Sequence, residues 1–110
     1  MSINDIKQML NETGIKYKYH HFETEEAIAP PFLVWILPGT QNFMADGITY
    51  HGISELDIEL YTDKKDFKLE KSIEEVLKRY GLPWNKTEQY IESENMFEVL
   101  YEMEVLISGE

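Results

Sequence analysis

Residues 53–62 alternate between apolar and polar side chains almost without exception. The two sets separate by position: Leu56, Ile58 and Leu60 fall on one side, and Glu55, Asp57, Glu59 and Tyr61 fall on the other. Successive side chains of a strand point to opposite faces, so a period of two puts one face on a core and the other toward water. The pattern predicts a strand with one apolar face and one acidic face.

The following segment, residues 66–81, changes to the period of a helix. Its apolar side chains recur three and four positions apart, at Leu69, Ile73, Val76, Leu77 and Tyr80. Asp66 is suited to the N-cap, and Gly81 to the end of the helix. Near the start of the chain, Ser2 and Asp5 have the spacing of a capping box, and Gly14 closes the apolar stripe that follows. The sequence therefore predicts two amphipathic helices.

The remaining apolar segments predict further strands. They are residues 15–22, which alternate; residues 32–37, which are wholly apolar between prolines; and residues 87–92 and 96–107, which are separated by a short turn. The run at 32–37 is typical of a central strand covered on both faces. Asp46 and Gly47 lie between apolar flanks, which is a strong hairpin signal. We expect residues 1–110 to form a single α+β domain, in which two helices pack on one face of a mostly antiparallel sheet and a β-hairpin protrudes.

Composition narrows the classes of function. Acids outnumber bases by 21 to 10 and the formal charge is −11, which argues against binding to nucleic acid, because lysine and arginine supply most of that affinity. The chain has no cysteine, which excludes disulfides and thiolate metal sites. The apolar runs are too short to span a membrane, and no basic segment indicates a signal peptide. We expect a product of the cytoplasm with no membrane contact.

No pattern in the sequence indicates catalysis, a cofactor or a metal. His20 and His21 are neighbours on a predicted strand and should point to opposite faces, and His51 is distant. The acids of residues 55–59 form a regular row, which is typical of an exposed face or an interface and not of an acid–base pair in a pocket. Nucleophile elbows and phosphate loops are missing. We expect that the protein is not an enzyme.

Several large apolar side chains lie in or beside turn-rich segments, where a small domain would have difficulty burying them all. Aromatic residues and methionine with few charges nearby are typical of the cores of protein–protein contacts. The interface candidates are therefore Trp35, Phe43, Met44, Asp46, Gly47, Ile48, Tyr50 and Trp84.

A resemblance adds to these predictions. The runs that carry it are PFLVWILPG at 31–39, NFMADG at 42–47, IELYTDKKD at 58–66, KTEQYIESE at 86–94 and YEME at 101–104. Together they resemble small structural proteins of tailed phages and prophages of Gram-positive bacteria, in particular the tail terminator, or tail-completion, group. The resemblance covers residues 15–105 and consists of the set of runs, since none of them is chemically specific.

The resemblance implies a virion protein that is assembled in the host cytoplasm and located in the tail or neck. It implies a homohexameric ring that caps the tail tube, meets the head-connector proteins and lets DNA pass without binding it specifically. It implies neither catalysis nor a cofactor. The alternative is an acidic inhibitor that imitates DNA and binds a DNA-binding enzyme; a small hydrolase is a weaker third. Copy number separates the first two, because a ring component assembles with itself.

Overall fold

The computed structural model describes residues 1–23, 28–45 and 48–107, and the side chains of these residues except 41–45 and 48–52. The elements are α1 (Ile3–Glu12), β1 (Tyr17–Tyr19), β2 (Phe32–Ile36), β3 (Thr40–Ala45), β4 (Ile48–Thr62), α2 (Phe67–Arg79), β5 (Asn85–Ile91) and β6 (Met96–Leu106). The predicted α+β class is confirmed. Neither helix in this part of the chain is long and apolar enough to cross a membrane.

The sheet has the strand order β1-β2-β4-β6-β5, and β3 pairs with β4 off this path. Among the strand pairs of the described residues only β1–β2 is parallel, so the sheet is mostly antiparallel as predicted. The central strand is β4 and not β2, which lies between β4 and the edge strand β1. The apolar run of β2 is explained by burial on both faces of the strand. A strand can be buried on both faces without lying at the centre of the sheet.

The core lies on one face of the sheet, which we call the inner face. Leu56, Ile58 and Leu60 of β4 are fully buried there, as the alternation predicts. Residues directly opposite in the ladder share a face, so Leu33 and Val99 join Leu60. One core cluster contains these side chains together with buried residues of both helices. Placement of both helices wholly on this face stays a prediction, although the shared cluster favours it.

Both predicted helix N-caps are confirmed. Ser2 and Asp5 form the reciprocal capping box of α1, and the side chain of Asp66 accepts a hydrogen bond from the Leu69 amide at the start of α2. Gly14 and Gly81 follow the helix ends with φ of 73° and 71°, a region that glycine enters without steric cost. The two ends of each helix were therefore encoded locally.

Strand β4 continues beyond the rest of the sheet. It pairs with β6 from Thr62 only as far as Ile53, whereas its earlier residues from Ile48 to Tyr50 pair with β3. We call residues 40–45 and 48–54 the β3–β4 ribbon. Asp46, Gly47 and the side chains at 41–45 and 48–52 lie outside the described part of the chain, so a protruding hairpin stays a prediction.

The molecule is long for its size. Its radius of gyration is 15.2 Å, and its principal dimensions are 51 × 29 × 23 Å. A compact domain of this length has a radius of gyration of about 13 Å. The elongation agrees with a central strand of 15 residues, only part of which is flanked by strands on both sides.

Candidate interaction surface

The face of the sheet opposite the core, which we call the outer face, carries two rows of acids. The residues are Glu55, Asp57 and Glu59 on β4 and Glu98, Glu102 and Glu104 on β6. Glu55 is directly opposite Glu104, and Asp57 is opposite Glu102. Like charges in such positions destabilise a sheet. Burial, and then the charges of Glu102 and Glu55, raise the pKa of Asp57 above its ordinary value.

One tyrosine joins the two acidic rows. The Tyr61 hydroxyl lies 2.7 Å from Glu59 Oε1 and 2.9 Å from Glu98 Oε2. Burial is the first cause that raises the pKa of Glu59, and the nearby Glu98 and Asp57 carboxylates add to it. The Tyr61 hydroxyl, which lies within hydrogen-bond distance of Glu59, opposes this rise without cancelling it. We call Glu59, Tyr61 and Glu98 the outer-face triad.

The segment between β1 and β2 covers one end of the outer face. Phe22 meets Phe32 edge-on at 5.1 Å between ring centroids, and Phe32 stacks on Tyr61 at 5.0 Å. Val34, which points to the same face, is only 4% exposed. A cavity of about 310 Å³ remains between this segment and the strands, with Glu59 and Tyr61 among its lining residues.

The prediction for the histidines rested on a wrong premise. Strand β1 ends at Tyr19, and His20 adopts a φ of 70°, so the strand does not continue to residue 22. As a result His20 and His21 meet, with their Nδ1 atoms 2.9 Å apart, and do not point to opposite faces. His21 Nε2 is also 3.5 Å from Glu23 Oε1. Among the residues that the structure describes, no group of three or more His, Asp or Glu is placed to hold a metal ion.

The two tryptophan candidates differ in their exposure. Trp35 belongs to the core cluster, is 3% exposed and meets Tyr19 edge-on at 4.7 Å, so it offers little surface to a partner. Trp84 is partly buried between α2 and β5 and meets Tyr101 at 6.4 Å. It lines a groove of about 500 Å³ together with acids of both outer-face rows. Of the two, only Trp84 is placed for an external contact.

Four of the other six candidates belong to the β3–β4 ribbon, and the remaining two are Asp46 and Gly47. Phe43 pairs with Tyr50 across the two strands, and Ala45 pairs with Ile48. Met44 lies between Phe43 and Ala45 on β3. The side chains of these residues, and Asp46 and Gly47 altogether, lie outside the described part of the chain. The backbone therefore brings the four apolar candidates together on one ribbon, as the sequence predicts.

The predicted interface candidates do not include two exposed apolar side chains. Leu106 is 68% exposed on the outer face, where it pairs with Ile53 at the base of the ribbon. Leu106 follows the acids of residues 98–104 at the spacing of one strand face, and this was the sequence signal for its exposure. Phe67 is 73% exposed at the start of α2, with the Lys65 ammonium 4.8 Å from its ring centroid.

A second missed feature is a buried carboxylate, that of Glu70, in a group that we call the charge network. The network consists of Lys65, Glu70, Glu74, Lys86 and Glu88 and joins α2 to the edge strand β5. Lys86 Nζ is 2.8 Å from Glu70 Oε1, close enough for an ion pair although the two atoms are not aligned for a hydrogen bond. Helical periodicity places position 70 near the edge of the apolar stripe, and this alone does not predict burial.

No family model matches the chain, and the curated proteins contain no match either. The functional argument therefore rests on the residues and their arrangement.

Proposed function

We propose that this chain is a virion structural protein, a tail-completion subunit that assembles into a ring at the head–tail junction. The observation that carries the proposal is the β3–β4 ribbon, because β4 continues past its partners β2 and β6 and pairs there with β3. An isolated two-stranded ribbon is marginally stable in water. A ribbon of this kind gains stability when a neighbouring subunit or the tail tube covers it.

The side chains available for such a contact suit it. Phe43, Met44, Ile48 and Tyr50 are concentrated within eight residues of the ribbon. Burial of apolar surface contributes about 25 cal/mol per Å². Leu106 is a further exposed apolar side chain, at the base of the ribbon.

The charge of the chain agrees with a passage for DNA. A formal charge of −11 and two acidic rows on the outer face repel a polyanion. A ring through which DNA moves must not retain it, so a strongly negative net charge is an advantage. The proposed partners are further copies of the chain, tail-tube proteins and head-connector proteins.

The runner-up is an acidic protein that imitates DNA, which the regular outer-face rows favour. Opposite acids on neighbouring strands are about 5 Å apart at Cβ, however, and facing phosphates of duplex DNA are separated by grooves of about 6 and 12 Å. The raised pKa of Asp57 and of Glu59 also lowers the tendency of this face to stay fully charged. Both points weigh against imitation of phosphates.

The ribbon can be tested with the double substitution Phe43→Ser and Met44→Ser. We expect the thermal unfolding of the monomer to change little and ring formation, seen by electron microscopy, to be lost. The reason is that the ribbon pairs beyond the part of β4 that β2 and β6 flank, so its apolar side chains should matter mainly for assembly.

A matched control is Phe67→Ser, which removes an exposed aromatic side chain on α2. This variant should still form rings. If the double variant unfolds the monomer while its surviving protein still assembles, the ribbon belongs to the core and the proposal loses its main support.

A further inference from the structure

We propose that the outer-face triad holds a structural proton, carried by Glu59, so that the native sheet keeps this carboxyl group neutral at a pH where the unfolded chain would ionise it. The inference concerns the monomer and does not depend on the proposed function.

Tyr61 has fewer hydrogens to donate than its hydroxyl has carboxylate contacts. A tyrosine hydroxyl has one hydrogen to donate, yet Tyr61 Oη is within hydrogen-bond distance of both Glu59 and Glu98, at 2.7 and 2.9 Å. If both carboxylates were ionised, one of them would face the lone pairs of the phenol oxygen. One added proton turns both contacts into hydrogen bonds, because a protonated carboxyl group can donate to the phenol.

The neighbours decide which carboxyl group carries the proton. Glu98 also accepts a hydrogen bond from the side-chain amide of Gln89 on β5, which stabilises its ionised form. Glu59 has Val34 and Leu100 as its cross-strand neighbours, and neither can donate to it. The chain of bonds therefore runs from the Glu59 carboxyl group to Tyr61 Oη, and from the Tyr61 hydroxyl to the Glu98 carboxylate.

The charges around Glu59 favour the same state. The charged and titratable groups that face Glu59 come from the neighbouring strands and loops. On the strands they are Asp57 of β4, Glu98 and Glu102 of β6, and Lys18 of β1, which lies beside Val34. In the loops they are His20, His21 and Glu23 after β1, and Glu94 in the turn before β6. Acids predominate in this set, and Lys18 with any protonated histidine opposes them. Burial raises the pKa of Glu59 further, and burial with the two hydrogen bonds raises the pKa of Tyr61, so the phenol keeps its hydrogen.

A raised pKa has a fixed consequence for stability. The proton contributes its full stabilisation below the ordinary glutamate value of 4.5, and this stabilisation is lost as the pH rises through the higher native value. Glu59→Gln imitates the protonated carboxyl group, since its amide donates an N–H and stays neutral at every pH. The variant should therefore lack the pH dependence that the triad gives to the native protein.

The first test is carbon-13 NMR of the glutamate carboxyl groups, with the Glu59 signal identified by its loss in Glu59→Gln. We expect the Glu59 signal to titrate above the ordinary glutamate value of 4.5. A Glu59 signal that titrates at or below that value would overturn the proposal.

The second test measures urea unfolding midpoints between about pH 5 and pH 8, where unperturbed glutamates are already ionised. The midpoint of Glu59→Gln should exceed that of the native protein by a margin that grows with pH. Glu104→Gln, which removes an equal charge from the same face, is the control, and the margin of Glu59→Gln should grow more steeply with pH than the margin of this control. If Glu98→Gln and not Glu59→Gln abolishes the pH dependence, the assignment of the proton to Glu59 is wrong.

Discussion

In the charge network, loss of the buried acid Glu70 and loss of its two lysine partners should change the free energy of unfolding by different amounts and with a different pH dependence. Glu70 is 3% exposed as a side chain, whereas its partners Lys65 and Lys86 are 22% and 35% exposed. Each lysine also has a second carboxylate, Glu88 for Lys65 and Glu74 for Lys86. Removing the buried acid therefore leaves two cations that are still paired and hydrated. Removing both lysines leaves an ionised carboxylate buried without a partner.

The expected costs follow from this asymmetry. Glu70→Gln should lower the free energy of unfolding by about 1–2 kcal/mol, the scale of a hydrogen bond to a charged group. The double substitution of Lys65 and Lys86 by Met should lower it by about 3–5 kcal/mol at neutral pH, the cost of leaving a buried charge unpaired. This cost cannot exceed the free energy of protonating Glu70, because a neutral carboxyl group would then replace the unpaired charge.

The pH dependence gives a second criterion. Burial alone would raise the pKa of Glu70, but its ion pairs with Lys65 and Lys86 outweigh burial and hold the pKa below its ordinary value. The native network therefore stabilises the fold above the ordinary glutamate pKa and loses this contribution as the pH falls through the lowered value. In the double lysine variant only burial remains, so lowering the pH toward about 5 should restore part of the lost stability.

Urea unfolding at several pH values, followed by circular dichroism, measures both quantities. Lys68→Met, which exchanges an exposed lysine of α2 outside the network, controls for the loss of a positive charge. If Glu70→Gln destabilises as much as the double lysine variant, or if the latter gains nothing at lower pH, the reasoning about the unpaired carboxylate is refuted.

Two further predictions concern the core and the helix caps. Ile58→Ala removes a fully buried side chain of the central strand and should lower the free energy of unfolding, measured by urea titration, by about 2–5 kcal/mol. A loss below about 1 kcal/mol would mean that the neighbouring side chains fill the cavity. Asp66→Ala removes the side chain that accepts the Leu69 amide and should cost about 1 kcal/mol, whereas Asp66→Asn, which retains an acceptor, should cost less; equal losses would show that the cap bond contributes little.

Local pattern predicted the parts of the fold that local chemistry decides. The alternation at residues 53–62, the helical stripe after Asp66 and both N-caps appear as expected, because each depends on residues a few positions apart. The length of β1 was wrong for a physical reason. Alternation at residues 15–22 indicates a preference, but the strand ends where pairing with β2 ends, after Tyr19.

The candidate site was predictable only in part. The acidic face of β4 follows from its sequence. The contact of Tyr61 with Glu98, however, depends on the register between β4 and β6, and these two residues are 37 positions apart in the chain. Burial of Trp35 likewise depends on its position opposite Ile58 in the ladder, and no pattern within β2 states this. Composition marked Trp35 as an interface candidate because it could not tell a core aromatic from a contact aromatic.

The central claim is that the chain assembles with itself, and the mass of the purified protein in solution tests it most directly. Light scattering and native mass spectrometry over a range of concentrations should show a species of six times the chain mass of 13.0 kDa, or a monomer that converts to rings as the concentration rises. A strict monomer at millimolar concentration, with no rings by electron microscopy, would contradict the proposed ring.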